Sequence, residues 1–355
     1  PNMIRKMCTL AALLVSVSLV TAAEDYGLKK GDVDLKSAGA LTFGPNGILF
    51  VADPQAASIY AIDTEDTGKP GGAIKVEKID AQVAALLGTE AGQILINDIA
   101  VNPASGVAYL SVSRGKAATA PPAIVKVDGK GKPSLLNLKG VKFAKATLPN
   151  ATGGGEAITD LALVKDRLFV AGLSNEKFAS TLRAIPFPFA ATDKGSSVEI
   201  YHGAHGKFET RSPVRTFAPF DIGGETHLLA AYTCTPLVKF PVSDLKPGSH
   251  VKGTTIAELG NRNKPLDMFV YEKDGKKYVL MANSSRGVMK ITTEGIDKIK
   301  PITERVGGGG KAGLTYDTID SLKGVQHLDR LDKGNALVLI RADNGNLNLE
   351  TVPLP

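Results

Sequence analysis

From residue 40 onward, apolar and polar positions recur in one arrangement: an apolar strand, a tight turn, a second strand closing on small residues, a polar step and a third short strand. In the first copy residues 40–43 turn at Gly44-Pro45-Asn46-Gly47, resume over 48–53 and return over 58–62. The second has 98–101, a turn at Asn102-Pro103-Ala104-Ser105-Gly106 and then 107–111, and the third runs from 160–163 to 168–172. The fourth begins at Asp221 and turns at Gly223-Gly224 into 227–232, the fifth pairs 267–270 with 278–283 across Asp274-Gly275, and the sixth pairs 327–329 with 336–340. With Ala40, Asp98, Asp160, Asp221, Asp267 and Asp329 as the equivalent position, successive copies lie 46 to 62 residues apart.

Each copy is rich in Val, Ile, Leu, Tyr and Phe, is bounded by turn residues, and has room for four strands. A four-stranded sheet cannot shield both its faces, but sheets packed radially against their neighbours can. The pattern therefore predicts an all-β protein, a six-bladed β-propeller with four-stranded antiparallel blades. A pair of two-sheet sandwiches, or seven blades with one degenerate copy, are the competing architectures. Residues 81–87 predict a short helix between the first two blades, with Val83, Leu86 and Leu87 on one face. Residues 32–35 and 346–352 are the expected closing strands of the ring.

Composition narrows the class. The chain has 355 residues, 43% hydrophobic and 22% charged, which is enough for a large core and excludes a disordered tail, a collagen or a disulfide-stapled miniprotein. The formal charge of +6 is spread without a basic run, which gives no case for a nucleic-acid partner. Arg5 and Lys6, an apolar stretch over 10–20 and the small residues Thr21-Ala22-Ala23 have the order of a secretory signal peptide. The expected division is a signal over 1–23, too short for a stable membrane anchor, and a single propeller domain over 24–355. Removal of the signal also removes Cys8, leaving Cys234 with no cysteine to pair with. An exported chain without a disulfide framework fits a periplasmic or secreted protein.

The recurring acid at the head of the inner strand carries the strongest chemical hint. Inner strands line a propeller's channel, so Asp98, Asp160, Asp221, Asp267 and Asp329 would converge and attract a hard cation through oxygen ligands. The plainer role for each is to cap backbone N–H groups beside its strand. Asn97, Asp98, Asp160, Asp221 and Asp267 form the expected metal set, with Ca²⁺ the ion. Loops after the second strands gather at one end, so Asp53, Arg114, Asn283, Arg286 and His327 form the expected ligand rim, with Arg114 and Arg286 able to hold a carboxylate. Cys234 sits in the same class of loop and reads as a small buried hydrophobe or a reactive thiol. His202 and His205 lie in a Gly-flanked loop that offers no third metal ligand nearby in sequence. Gly308, Gly310 and Gly313 match a dinucleotide fingerprint without its strand-turn-helix context. The sequence gives no haem motif and no nucleotide-binding motif.

The run Gly44-Pro45-Asn46-Gly47-Ile48-Leu49-Phe50-Val51-Ala52-Asp53, followed by Ser58-Ile59-Tyr60-Ala61-Ile62-Asp63, resembles the six-bladed propellers of the NHL and SMP-30 (gluconolactonase-like) group. The resemblance extends over most of the chain and implies the same fold. In the lactonase branch it implies a divalent cation on the axis held by a Glu, an Asn and an Asp from different blades. Asn97-Asp98, Asp267 and Asn283 fall at blade positions of the right chemical type, whereas the inner strands carry no clear Glu, with Glu156 the nearest. The expectation is therefore a ligand- or protein-binding propeller with a cation at its channel. A cation-dependent lactonase or esterase, using Asp98 or Asp267 as ligand or base, is the alternative.

Overall fold

The computed structural model describes residues 26–69, 71–234 and 236–355. The expected signal peptide lies outside them. The described residues form six antiparallel-stranded blades around one axis, a six-bladed β-propeller. The innermost strands are Leu41–Phe43, Ile94–Val101, Asp160–Val164, Thr216–Ile222, Pro265–Lys273 and Val325–Arg330, and they number the blades 1 to 6 in chain order. Three blades have four strands, while blades 1, 3 and 4 carry additional edge strands, including Lys29–Gly31 on blade 1. No helix among the described residues is long and apolar enough to cross a membrane.

The blades do not follow chain order around the ring. Neighbouring inner strands touch in the cycle 1, 2, 6, 5, 4, 3 and back to 1. Six buried apolar clusters fill the six seams in the same order. Leu49 and Tyr60 of blade 1 pack on Tyr109 and Ile124 of blade 2, and Leu110 and Val125 of blade 2 pack on Leu337 and Leu349 of blade 6. Phe50 and Ile48 of blade 1 meet Val170 and Ile185 of blade 3. The core is thus not one central mass but a wheel of seams, each formed by the two sheet faces that a lone blade would leave wet.

Nested strand exchange produces this order. After the third strand of blade 1, Ser58–Asp63, the chain crosses to blade 6, where Lys75–Val76 pairs with Leu349 and Glu350 as that blade's outer strand. It then builds all of blade 2 and returns as Val141–Thr147, which pairs with Ser58–Asp63 to complete blade 1. The expected closing segments are therefore corrected. Residues 32–35 form no strand, Leu347–Pro353 is the third strand of blade 6, and Lys75–Val76 closes the ring. Crosslinking tests this directly. In a Cys234→Ser background, Lys75→Cys with Glu350→Cys is expected to form an intramolecular disulfide on mild oxidation, because directly paired antiparallel residues have Cα atoms about 4.5–5.5 Å apart. Failure of that pair to crosslink would contradict the exchanged order.

The predicted helix is Ile79–Leu86. Ile79 and Val83 pack into the seam between blades 2 and 6, with Leu87 partly buried against it, but Leu86 faces solvent at 39% exposure. The fourth copy is also shifted. Arg215 N–H donates to Ala231 O as Thr159 N–H donates to Ala171 O, so Thr216, not Asp221, is the counterpart of Asp160.

Candidate functional site

Three inner strands carry a β-bulge at the same place, between Ile96 and Asp98, between Pro265 and Asp267, and between Val325 and His327. A bulge inserts one unpaired residue and re-aims the next side chain. Asp98, Asp267 and His327 are the residues just after the bulges in blades 2, 5 and 6. The exchanged order makes those three blades consecutive in the ring, with blade 6 in the middle. His327 accordingly stands between two acids, its Nδ1 3.4 Å from Asp98 Oδ1 and 3.6 Å from Asp267 Oδ2. Both distances suit charge attraction but are long for a hydrogen bond, and Nδ1 has no hydrogen-bond partner. The three side chains are 14–18% exposed, and one donor atom from each lies within 4.8 Å of the other two.

The recurring acids tie blades together. Asp98, Asp160, Asp267 and Asp329 each accept the N–H of the following residue through Oδ1. Through Oδ2 each also accepts an N–H from an adjacent blade: Leu41, Phe217, Leu328 and Val101, respectively. The capping role is therefore real, and it spans four of the six seams. It does not consume the carboxylates, since each oxygen has a second lone pair. On one side of the acids lies a cavity of about 290 Å³ walled by Leu161, Phe217, Met268 and Phe269. On the other is a small polar pocket of about 50 Å³ with Asn97, Thr159, Arg215 and His327. Asp98, Asp160 and Asp267 line both.

Burial, and then repulsion between neighbouring carboxylates, make Asp160, Asp267 and Asp329 reluctant to ionise. Burial first, then the charges of Asp267 and Asp98, hold Asp160 well above the usual carboxylate range. Burial pushes Asp329 up to about 7. Burial also raises Asp267 to about 6, against the opposing pull of His327. Burial alone would lower His327, but the facing Asp267 and Asp98 carboxylates outweigh it and raise the imidazole to about 9. His327 is thus an imidazolium at neutral pH, the positive charge paired with both acids.

The remaining expected site residues go elsewhere. Asn97 lines the polar pocket while its Nδ2 donates to Ala38 O and Ser113 Oγ. Asp221 is corrected: it lies exposed beside the first hairpin of blade 4 and accepts from Thr226, because the inner strand begins five residues earlier than its Gly-Gly turn suggests. Asp53 is corrected from rim to interior, fully buried and accepting from Lys36, Ser37 and Ala56 N–H groups and Ser37 Oγ. Asn283 is buried, caps Ser285 and Arg286 N–H groups and bonds Asn263. Arg286 donates to Asn261 O and packs its guanidinium over Gly260, so it is a strut rather than an open anion clamp. Arg114 is exposed and donates to Gly88 O. Glu156 pairs with Arg215 at 3.0 Å beside the polar pocket. His327 belongs to the axial cluster rather than to the rim; the sequence signal for it was its place two residues before Asp329.

No protein-family model matches the sequence, and no curated protein matches it. Among solved structures, the chain is similar to the PQQ-bound aldose sugar dehydrogenase from Streptomyces coelicolor at 14% identity, over 91% of this chain and 96% of that one, with a TM-score of 0.33. It is similar to a glucose dehydrogenase from Thermus thermophilus at 13% identity, over 92% and 100% of the two chains, with a TM-score of 0.35. A luciferin-regenerating enzyme is 10% identical over 92% and 96%, with a TM-score of 0.34. At these values the chemistry of the axis must be read from this chain's own residues.

Proposed function

We propose that the protein is a binding propeller that holds a cation, or the cationic group of a small ligand, against the acids of its channel. The observation that carries this is the convergence of four inner-strand aspartates whose one close counter-charge among the described residues is His327. Positive charge placed there favours the ionised forms of Asp160, Asp267 and Asp329, which burial first and neighbouring carboxylates second disfavour. Four carboxylates suit Ca²⁺, and the imidazole in the cluster widens the range to ions that accept mixed oxygen and nitrogen donors, such as Mn²⁺ or Zn²⁺. On the N-terminal sequence alone we propose export to the periplasm or beyond, and on the motif around Gly44–Asp53 kinship with the NHL and SMP-30 propellers. A partner protein on the axial face fits the same reading.

The second reading is a cation-dependent lactonase or esterase. It is favoured by one feature: the His327 imidazolium and the carboxylates of Asp98, Asp160 and Asp267 border a polar pocket that also presents the Asn97 amide and Arg215. A bound ion would polarise a carbonyl there, and the acids or His327 would move the proton of an attacking water. Calorimetric titration of metal-stripped protein with Ca²⁺ and Mn²⁺ tests the first reading. Asp98→Asn and Asp267→Asn are each expected to weaken binding at least about tenfold. No binding heat and no rise in melting temperature would remove the metal site and with it the hydrolase. If an ion binds, turnover of lactones or esters that both variants abolish would favour the enzyme; a turnover the variants leave unchanged would favour the binding module.

A further inference from the structure

A second cluster lies away from the axis, at the seam of blades 3 and 4. The strand Ser196–His202 and the strand Lys207–Glu209 are joined by a turn in which His205 and Gly206 N–H groups both donate to His202 O. This one helical turn brings the two histidines together, ring centres 3.8 Å apart. Glu209 reaches back under both: Oε2 is 3.0 Å from His202 Nδ1 and Oε1 is 2.6 Å from His205 Nδ1. A carboxylate on Nδ1 fixes the tautomer that leaves Nε2 with its lone pair, the arrangement that orients metal-binding imidazoles. His202 is 2% exposed and its Nε2 has no hydrogen-bond partner, a costly state for a buried polar atom unless something fills it.

The missing ligand comes from another blade. Cys234, in the loop after the second strand of blade 4, presents its thiol so that one donor atom each from His202, His205 and Cys234 lie within 4.8 Å of one another. Its backbone is left-handed, φ 64°, and is pinned by its N–H to Asn263 O at 2.8 Å. A non-glycine residue held in that region is strained, and such strain collects at functional positions. Glu258, 1% exposed, accepts Gly203 N–H through Oε1 and leaves Oε2 without a partner, adding negative charge beside the same turn.

We propose that His202, His205 and Cys234 bind a thiolate-accepting transition-metal ion of the Zn²⁺ type, with Glu209 as the positioning residue behind both imidazoles and a fourth position open to water. The donor set is right for it: two neutral imidazoles and one thiolate form a soft, roughly tetrahedral site, unlike the oxygen-rich axis. An ion there would also lock blade 3 to blade 4, adding to the parallel pairing of Ser197–Glu199 with His250–Lys252 and the bond from Thr255 Oγ1 to Tyr201 O.

Co²⁺ is the probe, because a thiolate ligand gives it a charge-transfer absorption that oxygen and nitrogen ligands do not. Metal-stripped full-length protein is expected to bind one equivalent of Co²⁺ with that band and to lose the band when Zn²⁺ displaces it. Cys234→Ser is expected to abolish the band and weaken Zn²⁺ binding about 100-fold. His205→Ala, at a residue whose side chain is 46% exposed and so contributes little to the core, is expected to do likewise, and Glu209→Gln to weaken binding about 10–100-fold. Absence of a thiolate band in the wild-type protein, or Zn²⁺ affinity unchanged in Cys234→Ser, would overturn the proposal.

Discussion

Replacing His327 by Gln is expected to destabilise the protein by about 3–5 kcal/mol near pH 7.5 and by much less near pH 5. The substitution removes the one positive charge that Asp98 and Asp267 share and leaves two largely buried carboxylates on either side of blade 6 without it. Breaking a buried ion pair on one side is costly because the remaining charge keeps its desolvation penalty and loses its partner. Near pH 5 the repulsion has an outlet: Asp267, already raised to about 6 beside an imidazolium, takes up a proton more readily without it. Urea unfolding of both proteins at the two pH values measures the difference. A loss of equal size at both would contradict the coupling.

Stability of the wild-type protein is expected to fall by several kcal/mol as pH rises from about 5 to about 9, the reverse of the usual acid lability. Asp267 and Asp329 release their protons near 6 and 7 in the folded chain, above the ordinary value of 3.8 in the unfolded one. Between those values the folded state binds more protons, so stability declines with rising pH. His327 acts in the same direction: raised to about 9, it contributes stability that is complete below its unfolded value of 6.5 and is lost as pH climbs through 9. On the acid side Glu209 has the opposite sign. Burial would raise it, but hydrogen bonds from His202, Ser212 and His205 bring it down to about 2, so its contribution is present above 4.5 and is lost as pH falls toward 2. Together they place the maximum near pH 4, close to the ordinary values of the carboxylates in the unfolded chain. Asp329→Asn is expected to flatten the part of the decline between pH 5 and 7; a stability that rises steadily from pH 5 to 8 would contradict this assignment of charges.

The wheel of blades was legible because its unit is local: apolar strands separated by Gly, Pro, Asn and Asp turns recur whatever the blade's neighbours are. The order of blades was not. It depends on where Lys75–Val76 and Val141–Thr147 pair, and a two-residue edge strand leaves almost no mark on a sequence. The same holds for register. The Gly223-Gly224 turn drew the fourth unit toward Asp221, whereas the inner strand starts at Thr216. In the sixth unit Asp329 matched the other acids in type, but the bulge puts His327 at the position of Asp98 and Asp267. A bulge is a backbone event that no residue type announces.

Asp53 and Asn283 illustrate a different failure. Asp and Asn cap turns with the same oxygens that bind ligands, so residue type alone cannot separate the two roles, and only burial with satisfied partners does. Four of the aspartates staple neighbouring blades through the backbone and also line the central cavity. The pairing of His202 and His205 with Cys234 was invisible because the third ligand is supplied by another blade.

Crystals grown near pH 8 and soaked in Mn²⁺ give the most direct test of the axial account, since the anomalous signal locates the ion without reference to any activity. A peak between Asp98, Asp267 and His327, lost in Asp267→Asn, is the predicted result. Full Mn²⁺ exposure with an empty axis, and no change in melting temperature in solution, would contradict it.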